Sequence, residues 1–207
     1  MTKRSKSSSR WLQEHETDPY VKAARAAGYR SRAVYKLEEI QRMDRVIRPG
    51  SVIVDLGAAP GGWSQYAARV MKGQGRILAS DILPMDPLAG VEFVVGDFSA
   101  EEVFADLLAR LGSDKPALVM SDMAPNMSGI ADVDNARGMY LVELSLDFAE
   151  KTLAPGGDFL VKVFQGRDYA PFLMRLRTLF GSVKVRKPKA SRSRSAELYL
   201  LARQFRM

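Results

Sequence analysis

Residues 51–63 run from a β-branched, apolar stretch, Ser51–Leu56, into the small-residue turn Gly57-Ala58-Ala59-Pro60-Gly61, and on through Gly62-Trp63 into a helical pattern. A strand that turns this tightly into a helix constrains the rest of the chain. Downstream the alternation continues, with strands predicted over 75–81, 91–95, 117–122 and 158–164. Helices are predicted over 62–72, 100–111, 134–153 and 169–180. Such alternation implies a mostly parallel sheet with helices on both faces. Strands at 182–186 and 197–202 follow with no helix between them, which implies an antiparallel pair at one edge. Ahead of the turn, Val34, Leu37 and Ile40 repeat at helical spacing from Ser31 to about Arg45, and Pro49-Gly50 stops the segment. The chain therefore divides into a basic, partly disordered arm over 1–30, with residues 1–10 fully disordered, and one domain over 31–207.

Charge distribution adds a partner class. The chain carries +7, but residues 1–36 hold nine Lys/Arg against three acids, and residues 184–194 hold six against none. The remaining 16 basic and 21 acidic residues leave the body at −5. An acidic body with two basic segments suits a polyanion held at a defined place; two solvated charge runs are the alternative. With no Cys, and one histidine, His15, in the N-terminal stretch, disulfides, thiolate metal sites and a histidine triad are excluded and no metal is expected. No apolar run reaches the ~20 residues needed to span a membrane, and no signal-peptide core follows the start, so a cytoplasmic protein is expected.

The spacing Gly57-x-Ala59-x-x-Gly62 departs from the dinucleotide fingerprint at its middle glycine, the one that admits a pyrophosphate. Ala59 and Pro60 favour a smaller, cationic nucleoside and count against a nicotinamide oxidoreductase. Asp55, Asp81 and Asp97 end three successive predicted strands. Asp81, nineteen residues after Gly62, can accept both ribose hydroxyls of an adenosine, and Asp97 an adenine amino group. Each alone also reads as a helix N-cap. Trp63 either flanks the ligand or fills the core beside the turn. Seven strands with an antiparallel ending, over a site for a sulfonium-bearing adenosine, describe a Rossmann-like class I methyltransferase.

Methyl transfer from a sulfonium needs an in-line nucleophile and a group to take its proton. Lys162, between Val161 and Val163 near the end of a strand, is costly to bury unpaired, unless its stem packs and its amine reaches water. A free lysine titrates near ~10.4, so a basic lysine at neutral pH needs neighbours. Lys36, with Asp122 and Glu197, could supply them.

Ser31–Leu37, Asp55–Gln65, Ser121–Ser128, Val161–Gly166 and Arg192-Ser193-Arg194 with Glu197 closely resemble the FtsJ/RrmJ family of ribosomal RNA methyltransferases, and the likeness starts at Ser8–His15. The resemblance implies a Lys-Asp-Lys-Glu tetrad at Lys36, Asp122, Lys162 and Glu197. It implies S-adenosyl-L-methionine as cofactor, held by Asp55, Gly57, Gly61, Trp63, Asp81, Asp97 and Asp122. It also implies, as acceptor, a uridine 2′-hydroxyl in the A-loop of 23S rRNA within the large ribosomal subunit, modified by a monomer. Rival readings are 2′-O-methylation of tRNA or an mRNA cap, and an RNA-binding assembly factor.

Overall fold

The structure, a computed structural model, describes residues 17–192 and 195–206. The expected disordered arm at 1–10, His15 and Arg194 lie outside the described residues. Helix α1 (Pro19–Ala26) falls inside the segment 1–30 expected as a partly disordered arm. Its start is set by Asp18, whose carboxylate accepts the Tyr20 N–H at 2.9 Å, and by Pro19 at the first helical position. Helix α2 (Val34–Asp44) turns its 34/37/40 stripe inward, with all three residues fully buried. Burying each such side chain stabilises the fold by about 1.5–3 kcal/mol.

The alternating part comprises β1 (Val52–Leu56), α3 (Gly62–Met71), β2 (Arg76–Asp81), β3 (Val91–Val95), α4 (Glu101–Leu111), β4 (Leu118–Ser121), α5 (Ala131–Thr152), β5 (Asp158–Phe164) and α6 (Tyr169–Leu179). The antiparallel ending is β6 (Phe180–Arg186) and β7 (Glu197–Phe205). Together the strands form a seven-stranded sheet in the order β3-β2-β1-β4-β5-β7-β6, parallel from β3 to β5, with β7 inserted antiparallel between β5 and β6. This is the Rossmann-like methyltransferase architecture. Helix α5 starts three residues before the expected 134. Asp134 sits in the first turn and reaches back to the Ser128 and Gly129 N–H groups at 2.7 and 3.0 Å, tying down the preceding loop.

Strand parity builds two cores. Val54, Val119, Val161 and Val163 pack under α5 and α6, while Ile53, Leu118, Leu160 and Tyr199 pack under α2 and α3. The sheet order reverses between β1 and β4, so the loops leaving these strands diverge and open a crevice at their carboxyl ends. Gly57 (φ 79°) lies where the two loops meet; a Cβ there would come within 2.9 Å of the Met123 nitrogen.

Asp44, at the end of α2, fastens that helix to the antiparallel pair. Its carboxylate takes Lys184 at 3.0 Å and Arg186 at 2.7 and 2.8 Å, and Arg203 donates to its carbonyl at 3.2 Å. Two cations of the basic segment 184–194, Lys184 and Arg186, are therefore answered within the fold. The Arg186 and Lys184 bonds and charges outweigh burial and hold the Asp44 carboxyl below its ordinary value. Replacing Asp44 by Ala should cost about 1.5–3 kcal/mol of stability. The contribution is complete above about pH 4, where an unfolded aspartate is ionised, and is lost as pH falls through the lowered folded value. Denaturant melts of parent and variant should show a gap at pH 7 that narrows in acid. A gap constant down to pH 2.5 would contradict this account (about 1.4 units below the ordinary value).

Candidate active site

A cavity of about 860 Å³ lies over the carboxyl ends of β1, β2 and β4. Gly57, Asp81, Asp97 and Asp122 all line it. Asp81 accepts the Ala59 N–H on Oδ2 and the Leu83 N–H on Oδ1, each at 2.8 Å, which fixes the carboxylate and leaves it further acceptor capacity. Asp97 takes the Ser99 N–H at 2.9 Å and the Ser99 hydroxyl at 2.7 Å on Oδ1. These bonds hold its carboxyl below the usual range and leave Oδ2 without a partner among the described residues. Three carboxylates beside apolar Leu56, Phe98 and Pro125 suit a cationic nucleoside and disfavour a pyrophosphate.

Three residues expected at the ligand do not line this cavity. Gly61 caps α3 with φ 103°. Trp63 is buried in the core, its indole N–H donating to the Ala33 carbonyl at 2.9 Å and its ring 5.7 Å from that of Tyr199. Asp55 lies one residue before Leu56 in β1, so its side chain takes the opposite face, beneath α3. Conversely, Arg137 and Tyr140 of α5 line the cavity and had no role in the sequence reading. Their only signal was a shared helix face, three residues apart.

The expected tetrad is brought together as two ion pairs. Lys162, 7% exposed, places its Nζ 3.1 Å from Asp122 Oδ1 and donates to the Asp122 carbonyl at 2.5 Å. Its amine is therefore buried and paired, not extended to solvent. Lys36 Nζ lies 2.7 Å from Glu197 Oε1. Tyr199 stands between them. It pairs with Lys162 across the β5–β7 ladder, donates its hydroxyl to Asp122 Oδ1 at 2.8 Å, and offers its ring to Lys36 at 5.5 Å. Burial pushes the Asp122 carboxyl up, but Lys162, Lys36 and Tyr199 outweigh it and hold it low. Burial likewise raises Glu197, and Lys36 brings it below the ordinary range. Both are carboxylates at neutral pH. Tyr199 is pushed well up, by burial first and then by Asp122 and Glu197, so it remains a hydroxyl donor.

A second cavity, of about 500 Å³, opens beside Arg32, Lys36, Arg192 and Glu197. Asp122 faces the first cavity and the Lys36–Glu197 pair the second. Lys162 and Tyr199 link the two walls: both bond Asp122, and the Tyr199 ring lies 5.5 Å from Lys36 Nζ. Among the described residues no group of three or more His, Cys, Asp or Glu could hold a metal ion, and no helix is long and apolar enough to cross a membrane.

Residues 29–205 match the FtsJ-like methyltransferase family. A solved structure from Plasmodium falciparum, assigned as a ribosomal RNA methyltransferase, is similar with a TM-score of 0.76 and 29% identity. The match covers 86% of this chain and 98% of that one. A Clostridium thermocellum protein assigned as an rRNA methylase shares the fold at a TM-score of 0.56 and 14% identity, covering 82% and 97% of the two chains.

Asp55 is fully buried; its Oδ2 accepts the Ser64 hydroxyl at 2.6 Å and its Oδ1 has no hydrogen-bond partner among the described residues. Burial pushes its carboxyl up to about 7; the Ser64 bond opposes this, and Asp122 and Asp81 add to it. The folded chain thus keeps a proton that an unfolded aspartate loses near ~3.9. Stability from this site is complete below that value and is lost as pH rises through the folded one. Asp55→Asn should remove the dependence, so melting temperatures of variant and parent should diverge in the variant's favour between pH 5 and 8 (a range spanning most of the raised titration, about 1 unit beyond its midpoint). A difference independent of pH would rule this out.

Proposed function

The chain belongs to the FtsJ-like methyltransferase family, and from that premise we propose that it transfers a methyl group from S-adenosyl-L-methionine to a ribose 2′-hydroxyl. The acceptor is a uridine in the A-loop of 23S rRNA, in the large ribosomal subunit, in the cytoplasm. The Plasmodium falciparum neighbour's assignment supports a ribosomal acceptor, and the two basic segments support an RNA of some kind. The site needs no second chain, because all four tetrad residues come from one, which supports a monomer.

The observation that carries this reading is Lys162, buried and bonded twice to Asp122 between the two cavities. Asp122 receives the Lys162 amine through both its carbonyl and Oδ1, which fixes that amine in place for the acceptor's 2′-hydroxyl proton. The cofactor, once bound, supplies a methyl carbon made electrophilic by its sulfonium. Asp81 holds the cofactor ribose, Asp97 the adenine, and Gly57 lets the backbone approach. Lys36 and Glu197 hold the acceptor ribose from the second cavity, so that its oxygen meets the methyl carbon in line. With S-adenosyl-L-methionine bound, the O–C bond would form as the C–S bond broke, and the hydroxyl proton would pass to the Lys162 amine.

Two variants separate these roles. Lys162→Met should cut methyl transfer to isolated large subunits by about 10²–10⁴ at saturating substrates while leaving cofactor affinity nearly unchanged. A rate within a few-fold of the parent would remove Lys162 from the chemistry. Asp81→Ala should instead weaken cofactor binding by about 1–3 kcal/mol. Calorimetry on the folded variant checks this, and unchanged affinity would place the ribose elsewhere. Transfer to tRNA in preference to large subunits would retain the 2′-O chemistry and overturn the acceptor.

A further inference from the structure

Glu197 begins β7, and β6 ends at Arg186, which faces Tyr199 in the antiparallel register. Continuing that register would set Pro188 opposite Glu197. Proline has no N–H, so the ladder cannot supply a donor to the Glu197 carbonyl from that position. The donor comes from a side chain instead. Lys187 Nζ donates to the Glu197 carbonyl and to the Ser195 carbonyl, both at 2.6 Å. One ammonium therefore ties the end of β6 to the carbonyls of Ser195 and Glu197 at the start of β7.

The other polar groups of Glu197 are also committed. Its N–H donates to Ser195 Oγ at 3.2 Å, and its carboxylate takes Lys36 at 2.7 Å. On the α2 side the same loop is gripped twice more: the Arg32 guanidinium donates to the Ala190 carbonyl, and the Lys189 N–H donates to Glu39 at 2.9 Å. Ala190, Arg192 and Ser195 of this loop form one wall of the second cavity.

We propose that Lys187 is a positioning residue: it replaces the ladder bond that Pro188 cannot make, and so holds Glu197 at Lys36 and shapes the acceptor cavity. The sequence alone places Lys187 in a basic segment suited to a polyanion. The geometry gives it a different task. This inference rests on the reading of the second cavity as the acceptor site.

The test compares the parent, Lys187→Met and Lys187→Arg, since arginine can still donate to two carbonyls. Hydrogen exchange over 187–199 is measured first, without substrate. Methionine should raise exchange in this segment alone, and arginine should restore protection. Single-turnover methyl transfer to saturating large subunits should then fall on the order of 10- to 100-fold in Lys187→Met, recover in Lys187→Arg, and leave cofactor affinity within about twofold. The dependence of RNA binding on salt should keep its slope. Parental exchange in Lys187→Met overturns the proposal. So does a parental transfer rate with a salt slope flattened by about 0.7–0.9, the signature of one lost phosphate contact. If the parent itself transfers no methyl to ribose, the functional reading fails, while the exchange measurement still decides the role of Lys187 in the loop.

Discussion

The Lys162–Asp122 pair governs the rest of the site. An unpaired ammonium at this depth would cost several kcal/mol, and Lys162 avoids this only because the chain leaving β4 turns back over β5 with both the carboxylate and the carbonyl of Asp122 in reach. Asp122 also sits in low dielectric, and Lys162, Lys36 and the Tyr199 hydroxyl together keep it ionised. Tyr199 is available because β7 runs antiparallel into the sheet beside β5, which sets it across from Lys162. A parallel β7 would require a different register, and the pair would lose its third partner.

That dependence explains why the edge of the sheet is so heavily tied. β7 is held between β5 and β6, and β6 is locked to α2 through Asp44. Helix α2 carries Lys36, eight residues before Asp44, so the network that anchors the helix also sets where Lys36 meets Glu197. Buried polar networks specify one arrangement when every member is satisfied. Each lysine of the two ion pairs around Tyr199 has its carboxylate, whereas one oxygen of Asp55 has no hydrogen-bond partner among the described residues.

The sequence was most legible where period and chemistry coincide. The 34/37/40 stripe, the strand running into Gly57, and the lysine stranded among valines in β5 each carry their meaning locally. Asp18-Pro19 was an equally local signal for α1, but it lies in a stretch that reads first as charge. What could not be read depends on partners distant in sequence. Whether Asp55 or Leu56 faces the cavity is a matter of strand parity against α3, and the assignment of Asp55 to the ligand erred there. Trp63 reads the same way whether it stacks on a ligand or fills the core, and only the contact with Tyr199, far along the chain, decides. The cluster Lys184, Arg186 and Lys187 looks like any basic run until Asp44 and the carbonyls of 195 and 197 are brought against it.

The central claim is that two ligands meet across Lys162 and that oxygen, not a base atom, receives the methyl group. Incubating large subunits that lack the modification with the protein and methyl-labelled S-adenosyl-L-methionine, then digesting the RNA with alkali, tests this directly. A 2′-O-methyl group removes the hydroxyl that alkaline cleavage requires. The account predicts label in an alkali-resistant dinucleotide whose 5′ residue is a uridine of the A-loop. Label recovered in mononucleotides, on a methylated base, would contradict it.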